Sequence, residues 1–279
     1  ASGKSVIGQA LVGVVAKPAG RIVSGEVFFK GEDILKKDPK EAQKIRGNQI
    51  TFIPQDPTTA LNPLLRIGFQ IGEAFKYHRH QRVETVTEEI INVMKVVNIP
   101  SPEMRMKDYP HQLSGGLKQR GIIATALSCQ PDLLIADEPT SALDVTIQMQ
   151  IIKLIREIQA KFQMTMILIT HNLGLVAKMC DRVAVLYCGR IVEEAPVREL
   201  YRNPKHPYSR GLLASLPKGE KGDVELYTIP GQLPNPLYHP VGCSFSPRCP
   251  HGVDRCREVP LMEQVSPDHR VRCWRWKEI

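Results

Sequence analysis

The stretch Leu133-Leu134-Ile135-Ala136-Asp137-Glu138 decides the fold of this chain. Four consecutive apolar residues are typical of a strand buried on both faces of a parallel sheet, and two carboxylates follow at its end. A second apolar run covers 165–169, and 49–53 is a third strand candidate. Between the first two runs, 146–162 carries apolar residues at helical spacing. Strand, helix and strand in this order predict a βαβ unit, and therefore an α/β fold with a mostly parallel sheet.

The composition limits the class of protein. The chain has 279 residues, of which 42% are hydrophobic and 24% are charged. One large or two unequal domains are expected, and a mainly disordered chain, a collagen-like fibre and a disulfide miniprotein are excluded. The net charge of +8 favours phosphates, nucleic acid or an anionic membrane surface, although it serves solubility equally well. Apolar runs are too short to cross a bilayer and no secretory signal is visible, so we expect a cytosolic chain.

Residue usage changes near residue 200. Eleven of the 22 prolines and four of the seven cysteines lie beyond it. We therefore predict an α/β domain at 1–200 and a small Cys-rich C-terminal extension at 201–279. Within the first domain we place an α-helical subdomain at about 64–130, where 86–97 is a helix candidate and no strand is indicated.

The chain opens with a candidate phosphate-binding loop, Ala1-Ser2-Gly3-Lys4-Ser5. It matches the end of the pattern G-x-x-x-x-G-K-[ST], which by itself is a weak signal. In such a loop, the backbone N–H groups from Ser2 to Val6 would face phosphate oxygens, at the start of a helix expected over 6–15. Lys4 would reach the β- and γ-phosphates, and Ser5 would bind Mg²⁺.

Two further elements suit phosphate chemistry. Asp137 stands where it can join a Mg²⁺ shell, and Glu138 where it can polarise a water aimed at phosphorus, although two carboxylates alone are more often a solvated turn. Ser114, Gly115 and Gly116 form a possible phosphate nest at a helix start, and the alternative is a simple helix cap.

Together with three more motifs, these residues resemble an ABC-type ATPase subunit. The resemblance implies a P-loop, RecA-like sheet core with a helical subdomain, and it spans residues 3 to 171. The motifs follow the order of the family and are Gly3-Lys4-Ser5, Gln55 within 53–57, Leu113-Ser114-Gly115-Gly116-Leu117-Lys118-Gln119, Asp137-Glu138-Pro139-Thr140, Ser141-Ala142-Leu143-Asp144 and Thr170-His171.

The resemblance implies three catalytic residues, Glu138, His171 and Gln55. Glu138 would be the general base and His171 the switch residue on the γ-phosphate, although a lone histidine after a strand is more often a core residue. Gln55 would sense the attacking water and bind Mg²⁺ together with Ser5 and Asp137.

The resemblance also implies a shared site in a head-to-tail dimer. Ser114, Gly115 and Gly116, with Gln119 beside them, would contact ATP held by the opposite subunit, and Asp144 would lie in the loop that crosses the interface. The first glycine of the phosphate loop and the residue that stacks on adenine would lie before Ala1, so we expect an N-terminally truncated chain.

A narrower resemblance, to the dipeptide and oligopeptide (peptide/nickel) importer subgroup, covers nearly the whole chain. It rests on 55–57 with 61–63, 109–113, 206–208 and the tail cysteines. Spacing alone leaves iron–sulfur cluster and zinc evenly matched, with free thiols as a third option. The resemblance implies a 4Fe–4S cluster bound by Cys243, Cys249, Cys256 and Cys273. We interpret Cys129, Cys180 and Cys188 as core residues.

The resemblance therefore implies an ATPase that energises import of peptides through a membrane permease. ATP, Mg²⁺ and the cluster would be its cofactors. A second ATPase subunit, two permease subunits and an extracytoplasmic substrate-binding protein would be its partners, and the chain would lie on the cytoplasmic face of the membrane. The alternatives are a soluble ABC-type ATPase acting on nucleic acid or the ribosome, and an importer ATPase for nickel or another small solute. Nucleic acid is not expected as a partner, because only 58 residues separate Gln55 from Ser114 and leave no room for a long coiled coil.

Overall fold

The computed structural model describes residues 2–16, 18–216 and 227–279. These residues form two compact units, one of Ser5–His171 and one of Asn172–Ile279 together with the described residues of Ala1–Lys4. Residues 217–226, which fall in the predicted C-terminal extension, lie outside the described part of the chain.

The Ser5–His171 unit is built on a parallel sheet, as the sequence predicted. Its strands run in the order β3-β4-β5, with Ile50 beside Leu133 and Leu133 beside Thr165. A separate antiparallel hairpin is formed by β1 and β2. In chain order the elements of this unit are α1 (Lys4–Leu11, whose first residue belongs to the other unit), β1 (Phe28–Phe29), β2 (Glu32–Asp33), α2 (Pro39–Ile45), β3 (Ile50–Ile53), α3 (Pro57–Ala60), α4 (Ile67–Arg79), α5 (Thr87–Val96), α6 (Pro102–Arg105), α7 (Gly115–Leu127), β4 (Leu133–Asp137), α8 (Val145–Phe162) and β5 (Thr165–Ile169).

The helix between β4 and β5 follows the predicted apolar stripe. Asp144 caps α8, because its Oδ1 accepts a hydrogen bond of 2.9 Å from the Ile147 N–H. Ile151 and Ile155 on the stripe are fully buried, and the helix ends before Gln163, which adopts a left-handed conformation. The βαβ unit, and with it the α/β class, is confirmed.

The first helix ends earlier than its apolar sequence predicted. It stops at Leu11 rather than near Val15, because Gly13 takes a left-handed conformation and its N–H bonds back to the Ala10 carbonyl. Val12 instead packs in a core with Ile34, Ile50 and other residues of the sheet.

The segment from α4 to α7 is helical where it is regular. Gly72 lets α4 approach its neighbours closely, because a Cβ there would lie 2.5 Å from Val83 Cγ1 and 3.1 Å from Ile90 Cδ1. Phe75 and Met94 are fully buried. The extent of a subdomain at 64–130 stays a prediction.

The Asn172–Ile279 unit contains an antiparallel sheet in the order β6-β7-β9-β8. Because β7 pairs with β9, residues on both sides of position 200 share one sheet, and the compact units divide between His171 and Asn172. The predicted domain boundary near 200 stays a prediction. The elements of this unit are α9 (Leu173–Met179), β6 (Arg182–Tyr187), β7 (Arg190–Pro196), α10 (Val197–Arg202), α11 (Pro207–Ala214), β8 (Glu263–Ser266) and β9 (His269–Val271).

Among the helices that the structure describes, none has both the length and the apolar character needed to cross a membrane.

Candidate functional site

Three side chains meet at one edge of the parallel sheet. Gln55 follows β3, Glu138 follows β4 and His171 follows β5. Glu138 Oε2 accepts a hydrogen bond of 3.2 Å from Gln55 Nε2, and Glu138 Oε1 lies 3.0 Å from His171 Nδ1. Because the carboxyl ends of parallel strands share an edge, residues 83 and 33 positions from Glu138 become its neighbours. The structure therefore brings together the three residues that we predicted to be catalytic.

The Glu138 carboxylate is held by a constrained backbone. Its φ of 43° lies in the left-handed region, which costs a residue with a Cβ about 1–2 kcal/mol. Its N–H donates to the Ile169 carbonyl at 2.8 Å, and its own carbonyl accepts from the Ser141 N–H and hydroxyl, both at 3.1 Å. The Glu138 side chain is 14% exposed and that of His171 is 70% exposed, so the carboxylate is fixed while its partner faces solvent. Sequence analysis did not identify Ser141 as a support for this turn.

The predicted Mg²⁺ ligands offer oxygen atoms only. Asp137 is a buried carboxylate at the last position of β4, and Ser5 lies in the first turn of α1. Hydroxyl, carboxylate and the Gln55 amide oxygen are donors that Mg²⁺ prefers, so the donor set fits this ion.

A glycine that the sequence analysis missed sets the position of α1. A Cβ at Gly8 would lie 2.7 Å from Ile169 Cδ1 and 3.1 Å from Phe52 Cε2. The helix therefore rests directly on the strands that carry the three clustered residues. The sequence signal for this contact was a glycine three positions after Ser5, next to larger apolar residues.

The residues before α1 contact the other part of their own unit. Gly3 has a φ of 86°, and the Ser2 carbonyl accepts a hydrogen bond of 3.0 Å from the Gly189 N–H. A left-handed residue within a loop is part of the backbone geometry of anion-binding nests. Val6 is exposed in the first turn of α1. The roles predicted for Lys4 and Val6 stay predictions.

The residues of the predicted second nucleotide face lie at two helix starts of the Ser5–His171 unit. Ser114 caps α7, and Asp144 caps α8. The two helix starts lie side by side, because Cβ atoms at Gly115 and Gly116 would lie 3.5 Å from Leu143 Cδ2 and 2.9 Å from Ile147 Cγ2. Ser114, Gly115 and Asp144 are exposed and available to a partner.

Gln119 does not share this surface. It is buried, and its Nε2 has no hydrogen-bond partner among the residues that the structure describes. Its predicted contact with nucleotide stays a prediction that its position does not favour.

The four tail cysteines line one small cavity of about 20 Å³, together with His206. Burial raises the pKa of the Cys243 and Cys249 thiols. It also raises the pKa of the Cys273 thiol, to about 11. Within the described ranges, no group of three or more His, Cys, Asp or Glu residues is arranged to hold a single metal ion. The remaining cysteines, which we interpreted as core residues, are half-buried rather than fully buried and are Cys129, Cys180 and Cys188.

Comparison with known proteins yields two family matches. The ABC transporter model matches residues 1–141, and the model of the oligopeptide/dipeptide transporter C-terminal region matches residues 192–256. The chain is 44% identical to the dipeptide transport ATP-binding protein DppD of Bacillus subtilis, over 98% of this chain and 82% of that protein. It is also 44% identical to the oligopeptide transport ATP-binding protein OppD of Salmonella typhimurium, over 98% of this chain and 81% of that protein.

A solved structure gives the same result. The dimeric ATP-binding cassette MJ0796, in a post-hydrolysis state bound to ADP and Pi, has a TM-score of 0.61 and 26% identity, covering 71% of this chain and 82% of that chain. Since one family model matches half of the chain and the relatives are matched over four fifths of their length, the chain belongs to the ATP-hydrolysing, ATP-binding subunits of ABC transporters.

Proposed function

We propose that this ATPase energises the import of peptides through a membrane permease from the cytoplasmic face of the membrane. The observation that carries the catalytic part is the convergence of Gln55 and His171 on the two carboxylate oxygens of Glu138. The peptide class is supported by the C-terminal family match and by the dipeptide and oligopeptide transport relatives.

Glu138 is proposed to act as the general base. A carboxylate oxygen takes the proton of a water aimed at the γ-phosphorus, while the hydrogen bonds from its two neighbours fix its direction. His171, being largely exposed, can turn from Glu138 to the γ-phosphate oxygens when nucleotide is present. Ser5, Gln55 and Asp137 are the proposed ligands of Mg²⁺, which supplies charge neutralisation on the phosphates when bound.

We infer that two ATPase subunits share each nucleotide. The exposed surface of Ser114, Gly115 and Asp144 has the capped helix starts that suit a γ-phosphate presented by a partner. Val145 and Met149, beside it on α8, expose 77% and 50% of their surface, which suits burial in a dimer. The dimeric state of MJ0796 supports this arrangement.

A groove of about 620 Å³ in the Ser5–His171 unit is the proposed permease contact. Apolar and charged residues of α4 and of the β3 region line it, among them Arg46, Tyr77 and His78. Pro54, adjacent to Gln55, also lines the groove, so a permease segment seated there would act directly on the catalytic edge. An extracytoplasmic binding protein is proposed to deliver the peptide to the permease.

The test is transport by the reconstituted complex. We expect that vesicles holding the permease and this ATPase, with ATP on the ATPase side, accumulate labelled di- and oligopeptides in the presence of the binding protein. Uptake of nickel chelates but not of peptides would identify the small-solute alternative. ATP hydrolysis that RNA stimulates and permease does not would reject the proposal.

The four-cysteine cavity is proposed to hold a 4Fe–4S cluster. All four cysteines line one space, and four cysteine thiolates are the ordinary ligand set of such a cluster. A cluster spreads its four thiolates over four iron atoms, so it suits wider spacing. Binding it would deprotonate thiols whose pKa burial has raised, and would tie the proline-rich tail together.

Metal analysis of anaerobically purified protein tests the cluster. We expect about four irons and four sulfides per chain. Replacing Cys249 with Ser should remove the iron, while Cys129→Ser, outside the cavity, should retain it. One zinc per chain, or no metal under anaerobic conditions, would reject the cluster.

A further inference from the structure

Two tight turns in this chain share one backbone conformation. Lys30 and Gly31, between β1 and β2, have φ values of 50° and 83°. Cys188 and Gly189, between β6 and β7, have φ values of 45° and 76°. Two consecutive residues with positive φ are typical of the type I′ hairpin turn. A Cβ on either glycine would meet nothing within 4 Å, so the two positions impose the same backbone constraint and the same steric freedom.

The Cys188–Gly189 turn differs from the other in what it contacts. Its Gly189 N–H donates to the Ser2 carbonyl at 3.0 Å, and its Cα would lie 3.8 Å from a Cβ at Gly3. The turn therefore touches the segment that is proposed to hold the phosphates of ATP.

The hydrogen bond to Ser2 also orients the next N–H group. The peptide unit is planar and trans, so its C=O and N–H point in opposite directions. Since the Ser2 carbonyl faces the turn, the Gly3 N–H faces away from it, and Gly3 follows with a positive φ. An N–H group held in this direction is ready to donate to an anion.

The turn has a firm support. Tyr187, directly before it, is fully buried, and its ring lies 4.6 Å from that of Tyr208 and 5.3 Å from that of Phe245. Cys188 packs against the same core. Packing of this kind restrains the turn. The direction of the Gly189 N–H is therefore set by the core beneath the hairpin rather than by Ser2 and Gly3.

We propose that Gly189 is a positioning residue for ATP binding, whose backbone N–H holds the Ser2–Gly3 peptide in the orientation that grips phosphate. The inference rests on the proposed role of residues 2–6 as the phosphate loop. It gives the hairpin turn, which is remote in sequence, a part in orienting the Ser2–Gly3 peptide.

The experiment compares the two turns in the full-length protein. Gly189→Val places a β-branched residue at positive φ and should displace the turn, whereas Gly189→Asn should retain it because Asn tolerates this conformation. Gly31→Val is the matched control. Loss of one hydrogen bond predicts a threefold to tenfold weaker Kd for MgATP and MgADP in G189V, with G189N and G31V within twofold of wild type. Calorimetric titration measures the Kd, and thermal melting the stability.

The outcomes separate the inference from the role on which it rests. Lys4→Ala should abolish ATP binding; retention of binding would overturn both the proposed loop and the inference. Loss of binding in K4A with G189V equal to G31V in Kd would overturn the inference alone. Equal falls in melting temperature for both Val variants, with a weaker Kd only in G189V, support it. If G189V does not fold, Gly189→Ala against Gly31→Ala gives the same comparison with a smaller expected change in Kd.

Discussion

Glu138 with His171 and Glu193 with His269 are two close glutamate–histidine pairs that lie in opposite surroundings. At the edge of the parallel sheet, Glu138 lies 3.0 Å from a histidine that is 70% exposed. In the antiparallel sheet, Glu193 lies 2.8 Å from His269, and the two side chains are 0% and 1% exposed. Glu193 also accepts hydrogen bonds from two backbone N–H groups, those of Lys205 at 2.6 Å and His206 at 3.0 Å.

The comparison shows that the surroundings, and not the residue types, decide what such a pair does. The buried Glu193 carboxylate accepts hydrogen bonds from donors within the protein, so it links β7 to β9 and to the segment before α11. The Glu138 carboxylate, which is 14% exposed, is shared by Gln55 and the largely exposed His171, so it keeps the access to water that a general base needs. Removing the first should affect folding, and removing the second should affect turnover.

The largest expected effect is on catalysis. Glu138→Gln retains a hydrogen-bonding side chain but cannot accept a proton, so ATP hydrolysis should fall by about 10²–10⁴-fold. ATP binding should persist, and stability should change by less than about 0.5 kcal/mol. Phosphate release and nucleotide titration measure the two properties. Glu157→Gln, on the exposed surface of α8, should hydrolyse ATP at the wild-type rate, and equal rates in both variants would remove Glu138 from its role.

The buried pair should give the opposite result. Glu193→Ala leaves two backbone donors and His269 without their acceptor inside the protein, which predicts a loss of about 3–5 kcal/mol of stability. Urea denaturation of the Asn172–Ile279 unit measures it. Glu199→Ala, at the half-exposed carboxylate 4.0 Å from the same histidine, should cost far less. Similar losses in both variants would contradict a special role for Glu193.

Low pH should reduce the stability of the buried surroundings of Glu193 through the neighbouring residue His206. Burial lowers the pKa of His206 to about 3, and its Nδ1 accepts a hydrogen bond from the Tyr208 N–H at 3.0 Å. The unfolded chain takes up a proton below about pH 6.5 and the folded chain does not, so stability is lost as the pH falls from 6.5 towards 3. Between pH 7 and pH 5 we expect a loss of about 2 kcal/mol from this residue.

The variant His206→Asn isolates this effect. Asn can accept the same hydrogen bond at the start of α11 and does not titrate. Its stability should therefore change less between pH 7 and pH 5 than that of the wild type, as followed by denaturation at each pH. Parallel curves for the two proteins would show that His206 is not responsible.

The smallest effect is expected at Gln55. Gln55→Ala removes one hydrogen bond from an exposed amide to Glu138, which is worth about 0.5–1.5 kcal/mol. A threefold to tenfold lower kcat for ATP hydrolysis is expected, with unchanged stability. Steady-state kinetics measure it, and a loss as large as that of E138Q would mean that the proposed Mg²⁺ contact of Gln55 matters more than its hydrogen bond to Glu138.

The sequence predicted that Gln55, Glu138 and His171 would meet because the signals for their positions are local. Each of the three residues lies within two positions of the end of a recognisable strand, and the topology of parallel strands brings such positions together. The same reasoning identified Ser114 as a possible helix cap, because a short-range hydrogen bond determines that helix start. The cap at Asp144 was not predicted.

The rest depends on contacts that leave no periodic signal. Glu193 and His269 are 76 residues apart and meet only because β7 pairs with β9. The dipeptide Cys188-Gly189 indicates a hairpin turn, but nothing in it indicates that the turn reaches Ser2. Gln119 was placed in the nucleotide site from its motif, whereas the direction of its side chain depends on the rotation of α7, which burial in the core fixes.

The left-handed backbone of Glu138 has a consequence for attempts to make this ATPase more robust. Glycine or asparagine would relieve the constraint at that position, so either would be enriched in a screen that rewards heat resistance alone. Such a screen would therefore select against the proposed general base. A library aimed at durability should therefore hold codon 138 constant and seek its gains elsewhere.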